Sequence, residues 1–117
     1  MSDIIIETEQ LDGLLAAAGE DGLREILDAF WRSTDELLAA LNNQISESDF
    51  DEAARTAHAI KGSASNVGAQ LLAATAKAVE AACEAKDQNG LTTNYETAVS
   101  AVGKTRDAIE ERIALAS

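Results

Sequence analysis

The chain contains no proline, and aromatic residues supply only 3% of its 117 positions. Few residues that strands favour are therefore available, and nothing interrupts helices at a fixed backbone angle. A single cysteine, Cys83, excludes an intramolecular disulfide and a cysteine metal site. A single histidine, His58, excludes a metal centre built on paired histidines, and no metal is expected. No run approaches the roughly 20 apolar residues of a membrane span, and no basic-then-apolar leader opens the chain. The expected compartment is the cytoplasm. Basic residues are scarce: nine Lys and Arg stand against 21 Asp and Glu, for a net charge of −12. Binding to nucleic-acid phosphates or to an anionic membrane needs an extended basic surface, so neither partner is expected.

What is present is alanine and leucine in helical periodicity. The length suits one domain, residues 1–117, with a modest core in which many buried positions are alanine. Ile4–Ile6 reads as an apolar lead-in, followed by a short helix through Leu11, Leu14, Leu15 and Ala18 that ends at Gly19. Asp21 to about Glu47 carries one stripe of Leu23, Ile26, Leu27, Phe30, Thr34, Leu37, Leu38, Leu41 and Ile45, with Trp31 at its margin, partly covered. Asp49 and Glu52 form a capping-box pattern before a helix starting near Phe50. A third long segment spans about Ala69–Lys86. The DQNG sequence at 87–90 reads as a turn, and a last helix covers about Thr92–Leu115, using Tyr95, Ala98, Val99, Val102, Ile109 and Ile113, with Arg112 suited to its negative end. The expected fold is all-α: an antiparallel four-helix bundle with a short additional N-terminal helix. No exposed heptad seam calls for a second copy, so a monomer is expected.

The stretch Ala57–Ala69, AHAIKGSASNVGA, holds the chemistry. The inward face of its helix is Ala53, Ala57, Ile60, Ala64 and Val67, and His58 lies about 100° away from Ala57 around the axis, outside that seam. Lys61, Gly62 and Ser65 follow His58 at helical spacing. A glycine inside a helix costs roughly 1 kcal/mol against alanine, and access to the ring is the reason argued for Gly62. From Ala53 through Val79 no Asp or Glu occurs, while Arg55, Lys61 and Lys77 do. A neutral imidazole is a competent nucleophile, and a dianionic group placed on it would meet Lys61. Ser65, and less directly Ser63, offers a hydroxyl. Gly68 is a candidate left-handed residue ending the helix.

These residues resemble the signature of histidine-containing phosphotransfer (HPt) domains, roughly A-H-x-[LI]-K-G-[SA]-[SA]-x-x-[LV]-G. Ala57, His58, Ile60, Lys61, Gly62, Ser63, Ala64, Val67 and Gly68 match it, and Val79–Glu80 resembles a hydrophobic–Glu pair frequent on the family's next helix. Gln70 stands where a basic residue sometimes follows. The resemblance implies a four-helix bundle that displays His58 as phosphoacceptor at Nε2. It implies transfer from an aspartyl phosphate on one receiver domain to another, with Lys61 and Ser65 stabilising the phosphoryl group. No nucleotide-binding motif is present, so the expected role is a carrier rather than an enzyme, with no cofactor of its own and Mg²⁺ held by the receiver. The docking surface is expected around Ala54, Arg55, Ala59, Lys61, Gly62, Ser65 and Ala69. The alternative is a non-catalytic adaptor module binding a signalling partner through the same face. A general-base enzyme is disfavoured, because no carboxylate lies within a turn of His58 on its own helix.

Overall fold

The computed structural model describes residues 4–116 as four helices: α1 (Thr8–Ser46), α2 (Phe50–Asn66), α3 (Gln70–Glu84) and α4 (Gln88–Ala116). Each helix packs on the next, and α4 returns to touch α1, so the apolar faces close on one core. A straight helix of α1's 39 residues would run about 58 Å, longer than the molecule's 45 Å longest dimension. Gly19 resolves the conflict. Its φ of 75° and ψ of 173° are non-helical, and they divide α1 into a short leading arm and a long helix. That backbone region is essentially restricted to glycine.

The leading segment lies across the α2–α3 turn. Glu7 N–H donates to the Gly68 carbonyl at 2.7 Å, Leu71 N–H donates to the Ile5 carbonyl at 3.1 Å, and the Gln10 side chain donates to the Asn66 carbonyl at 3.0 Å. Gly68, at φ +77°, is left-handed as expected, and it is also sterically required. A Cβ there would meet the Glu7 carbonyl oxygen at 2.8 Å and Gln10 Cβ at 3.2 Å. The expected lead-in, Ile4–Ile6, is thus tied to the bundle through the Ile5 carbonyl.

The α2 helix begins as the capping pattern implies, with the Asp49 carboxylate accepting from Glu52 N–H at 3.2 Å. Its core face is almost wholly alanine: Ala53, Ala57 and Ala64 are fully buried beside Ile60. Small side chains there let α3 approach closely with Leu72, Ala76, Val79 and Cys83. Burial pushes the Cys83 thiol up, with the Glu80 and Glu84 charges adding to the effect, so it remains protonated and serves as a small core residue.

Several expected details are corrected. Trp31 is buried rather than marginal, edge-on to Phe30 with ring centroids 4.8 Å apart and under the Arg106 guanidinium at 4.7 Å. Ile26 and Val99, expected inside, are 38% and 46% exposed. The last helix begins at Gln88, because Asp87 accepts from Gly90 N–H at 3.0 Å and so caps it; the DQNG stretch is thus mostly helix, and Leu91 reaches the core. Arg112 does not simply answer its helix dipole. It grips Asp12 of the leading arm with two hydrogen bonds, at 3.1 and 2.6 Å.

The Arg112 guanidinium holds the Asp12 carboxyl below its ordinary value of 3.8. A carboxylate depressed in the folded state stabilises the fold above that ordinary value, and the contribution is lost as pH falls through the lowered one. Asp12→Asn is therefore expected to lower stability at neutral pH and to flatten the acid side of a stability–pH curve from chemical denaturation. Of the glycines, Gly68→Ala should cost about 2 kcal/mol or more through both strain and collision, and Gly19→Ala about 1–3 kcal/mol through strain alone. Urea melts of the two variants check both values.

Candidate phosphoacceptor site

His58 sits on the outer flank of α2, one position past the buried Ala57, and its side chain is 67% exposed. The ring occupies a depression lined by Ala54, Arg55 and Glu80. Its Nδ1 stands 3.3 Å from Glu80 Oε2, so that nitrogen faces protein and Nε2 is left to solvent. Lys61, one turn along α2, donates from Nζ to the other oxygen of the same carboxylate, Oε1, also at 3.3 Å. The three groups form one chain of contacts: imidazole, carboxylate, ammonium.

Glu80 was not among the candidate site residues. It lies on α3 next to the buried Val79, and close α2–α3 packing delivers it to the ring. The ring-orienting carboxylate absent from His58's own helix is supplied by the neighbouring one. Two signals pointed to it: the Val79–Glu80 pair, and the acid-free window from Ala53 that ends at this residue. Glu80 also puts a carboxylate beside the ring, where incoming negative charge was expected to meet Lys61, and Lys61 is paired to it. Arg55 is paired as well, to Glu52 on its own helix.

The remaining residues divide by position. Ala59 and Gly62 are exposed, and Ala54 is half-buried against the ring. A Cβ built on Gly62 meets nothing within 4 Å, so helix packing does not require this glycine. Ser65 is exposed but lies two turns along, roughly 10 Å down the axis, in a separate depression with Glu7, Gly68, Gln70 and Ala73. The fold does not bring its hydroxyl into the depression that holds His58. Ala69, expected on the docking surface, is fully buried. It stands at the N-terminal boundary of α3, its N–H donating to the Ala64 carbonyl at 2.8 Å, and so turns into the core.

Among the described residues, no cluster of three or more His, Cys, Asp or Glu is placed to hold a metal ion. None of the helices is long and apolar enough to cross a membrane. The site gathers one exposed ring nitrogen, one carboxylate behind it and two cations, Lys61 on that carboxylate and Arg55 at the rim of the depression.

Comparison with solved structures finds the same architecture in phosphotransfer proteins. Histidine-containing phosphotransfer protein B (HptB) from Pseudomonas aeruginosa superposes with a TM-score of 0.85 at 27% identity, covering 95% of this chain and 96% of that one. A histidine-containing phosphotransfer protein from rice gives a TM-score of 0.83 at 19% identity, covering 95% and 81% of the two chains. The maize protein ZmHP2 gives 0.81 at 22%, covering 95% and 84%. No curated protein matches in sequence. A family model described as Hpt domain matches residues 25–114, a span that holds His58, Lys61 and Glu80. The chain belongs to the Hpt domain family of histidine-containing phosphotransfer proteins.

Proposed function

We propose that this chain is a phosphorelay carrier of two-component signalling, in which His58 accepts a phosphoryl group from a receiver-domain aspartyl phosphate and passes it to another receiver. The observation that carries this reading is the disposition of His58: Nδ1 lies against Glu80 at 3.3 Å while the ring is 67% exposed. A nitrogen held by a carboxylate keeps its proton, which leaves the lone pair on Nε2, aimed outward to the partner. Glu80 thus orients the ring. Lys61, which shares that carboxylate with the ring, is a cation available to an added phosphoryl charge once released from Glu80.

In this reading residues 1–117 act as one phosphotransfer unit, an antiparallel four-helix bundle whose short leading arm braces the α2–α3 turn. The carrier works as a monomer in the cytoplasm, without its own cofactor and without nucleic-acid or membrane partners. Mg²⁺ and the groups that activate the aspartyl phosphate belong to the receiver. The receiver docks over Ala54, Arg55, Ala59, Lys61 and Gly62, with Ser65 at the edge of the contact. Open space at Gly62 supports the access reading, because an added side chain would project into the volume the receiver must enter.

The experiment is incubation of the protein with phosphorylated receivers. An acid-labile, base-stable phosphate on the wild type, lost in His58→Gln, is expected. No label across a panel of receivers, or label retained in His58→Gln, contradicts the reading, and stable binding without transfer favours the adaptor alternative. Gly62 separates access from stability. Gly62→Ala should raise stability by about 0.5–1 kcal/mol, as for glycine in an exposed helix. Gly62→Gln should fold yet slow transfer about tenfold or more, because the docked groups are displaced. Thermal melts and single-turnover transfer rates check the pair.

A further inference from the structure

The cations on the side of the bundle that carries His58 differ in what they are free to do. Arg55, in the depression with the ring, is paired to Glu52 on its own helix. Lys61 is paired to Glu80 at 3.3 Å. Lys77 is exposed and lines a neighbouring depression with Lys61, Glu80, Ala81 and Glu84. Neither carboxylate there forms an ion pair with it, and among the described residues its ammonium has no ion-pair or hydrogen-bond partner. Lys77 precedes Glu80 by three residues, so both stand on one face of α3, about 4.5 Å apart along the axis. Ala73 and Ala81, one turn to either side, are too short to shield it.

We infer that Lys77 is a specificity-determining contact of the phosphotransfer face: its ammonium meets a carboxylate at the rim of the docked receiver and so favours receivers that carry an acid there. The inference rests on the carrier reading and adds to it the residue that discriminates among receivers. A paired cation must give up its own carboxylate to take one from a partner, which is close to an even exchange. Lys77 has no carboxylate to give up, so a contact made by it is a net gain. A charge at the rim acts on association and on the choice of partner more than on the chemical step.

The distribution of charge supports an acidic partner face. Residues 53–79 carry Arg55, Lys61 and Lys77 and no acid, while the rest of the chain sets six basic residues against 21 acidic ones, a net charge of −15. An acidic surface approaching this chain is therefore opposed from most directions and admitted over the α2–α3 face. In the carrier reading the partner is of that kind. Its aspartyl phosphate stands beside bound Mg²⁺, an ion held by carboxylate and phosphate oxygens, so carboxylates gather on the face it offers to His58. Lys61 lies one turn from the ring and belongs to the phosphoryl group. Lys77 stands on the far side of Glu80's depression from His58's own helix, where it is free to reach the partner's surface beyond the reacting atoms.

The test is single-turnover transfer to the full chain from a panel of phosphorylated receiver domains, over a range of chain concentrations, at low salt and at about 1 M salt. Wild type is compared with Lys77→Ala, Lys77→Glu and Lys77→Arg, and with Lys104→Ala, which removes the same charge from an exposed position on α4. At low salt Lys77→Ala is expected to lower the second-order rate about 2- to 5-fold for the preferred receivers and Lys77→Glu about 5- to 25-fold, with Lys77→Arg and Lys104→Ala close to wild type. The differences should close at about 1 M, where screening acts within about 3 Å, and the limiting rate at saturation should be common to all. The spread of rates across the panel should narrow in Lys77→Ala. Wild-type rates or an unchanged spread in Lys77→Ala overturn the inference. An equal loss in Lys104→Ala overturns it too, because the whole chain's field then acts rather than one contact. Loading of His58 by phosphoramidate needs no docking; a fall there as large as the fall with receivers assigns Lys77 to the phosphoryl group and overturns the selecting role. All of these leave the carrier reading standing. Absence of transfer to wild type from every receiver overturns that reading, and the inference with it.

Discussion

The close contact of α2 with α3 is the constraint on which the site depends. Ala53, Ala57 and Ala64 give α2 a nearly flat core face, and α3, packed on α2, buries Ala76 and Val79 in the same core. Larger residues on that seam would push the helices apart, and Glu80 would then stand too far from His58 and Lys61 to touch either. Core packing and site chemistry are consequently one arrangement. Ala57 fills the core and His58, one residue on, leaves it; Val79 fills the core and Glu80, one residue on, reaches the ring.

Exposure shapes the rest. The ring is 67% exposed and its inner nitrogen is held by Glu80, an arrangement that suits the proposed contact with a receiver domain. No acid occurs between Ala53 and Val79 on a chain that is otherwise strongly acidic, and the carboxylate at the ring, Glu80, is shared with Lys61. The leading arm takes no part in this chemistry but fixes the turn that ends α2. Glu7 is hydrogen-bonded to Gly68, and Asp12 is clasped by Arg112 from the far end of the chain.

Much of this was legible in sequence, because helical period and caps are local. The four-helix class, the Asp49 cap, the break at Gly19, the left-handed Gly68 and the outward face of His58 all follow from residues within a few positions of one another. What was not legible depends on contacts between helices. Glu80 arrives from α3, and Arg112 spends its charge on Asp12 rather than on its own helix end. Ala69, expected on the docking surface, is buried at the boundary of α3, beyond the end of α2 at Asn66. Ile26 and Val99 carried the apolar period past the width of the face that is actually covered.

The proposed chemistry turns on a single atom. It requires that Nδ1 of His58 be committed to Glu80 and that Nε2 be the nitrogen that takes the phosphoryl group. Long-range proton–nitrogen correlation spectra of the uniformly nitrogen-15-labelled protein, before and after phosphorylation, read both nitrogens of the one histidine directly. A proton on Nδ1 in the free protein and phosphorus coupling to Nε2 in the loaded protein are predicted. Phosphorus on Nδ1, or phosphate on any residue other than His58, contradicts the account.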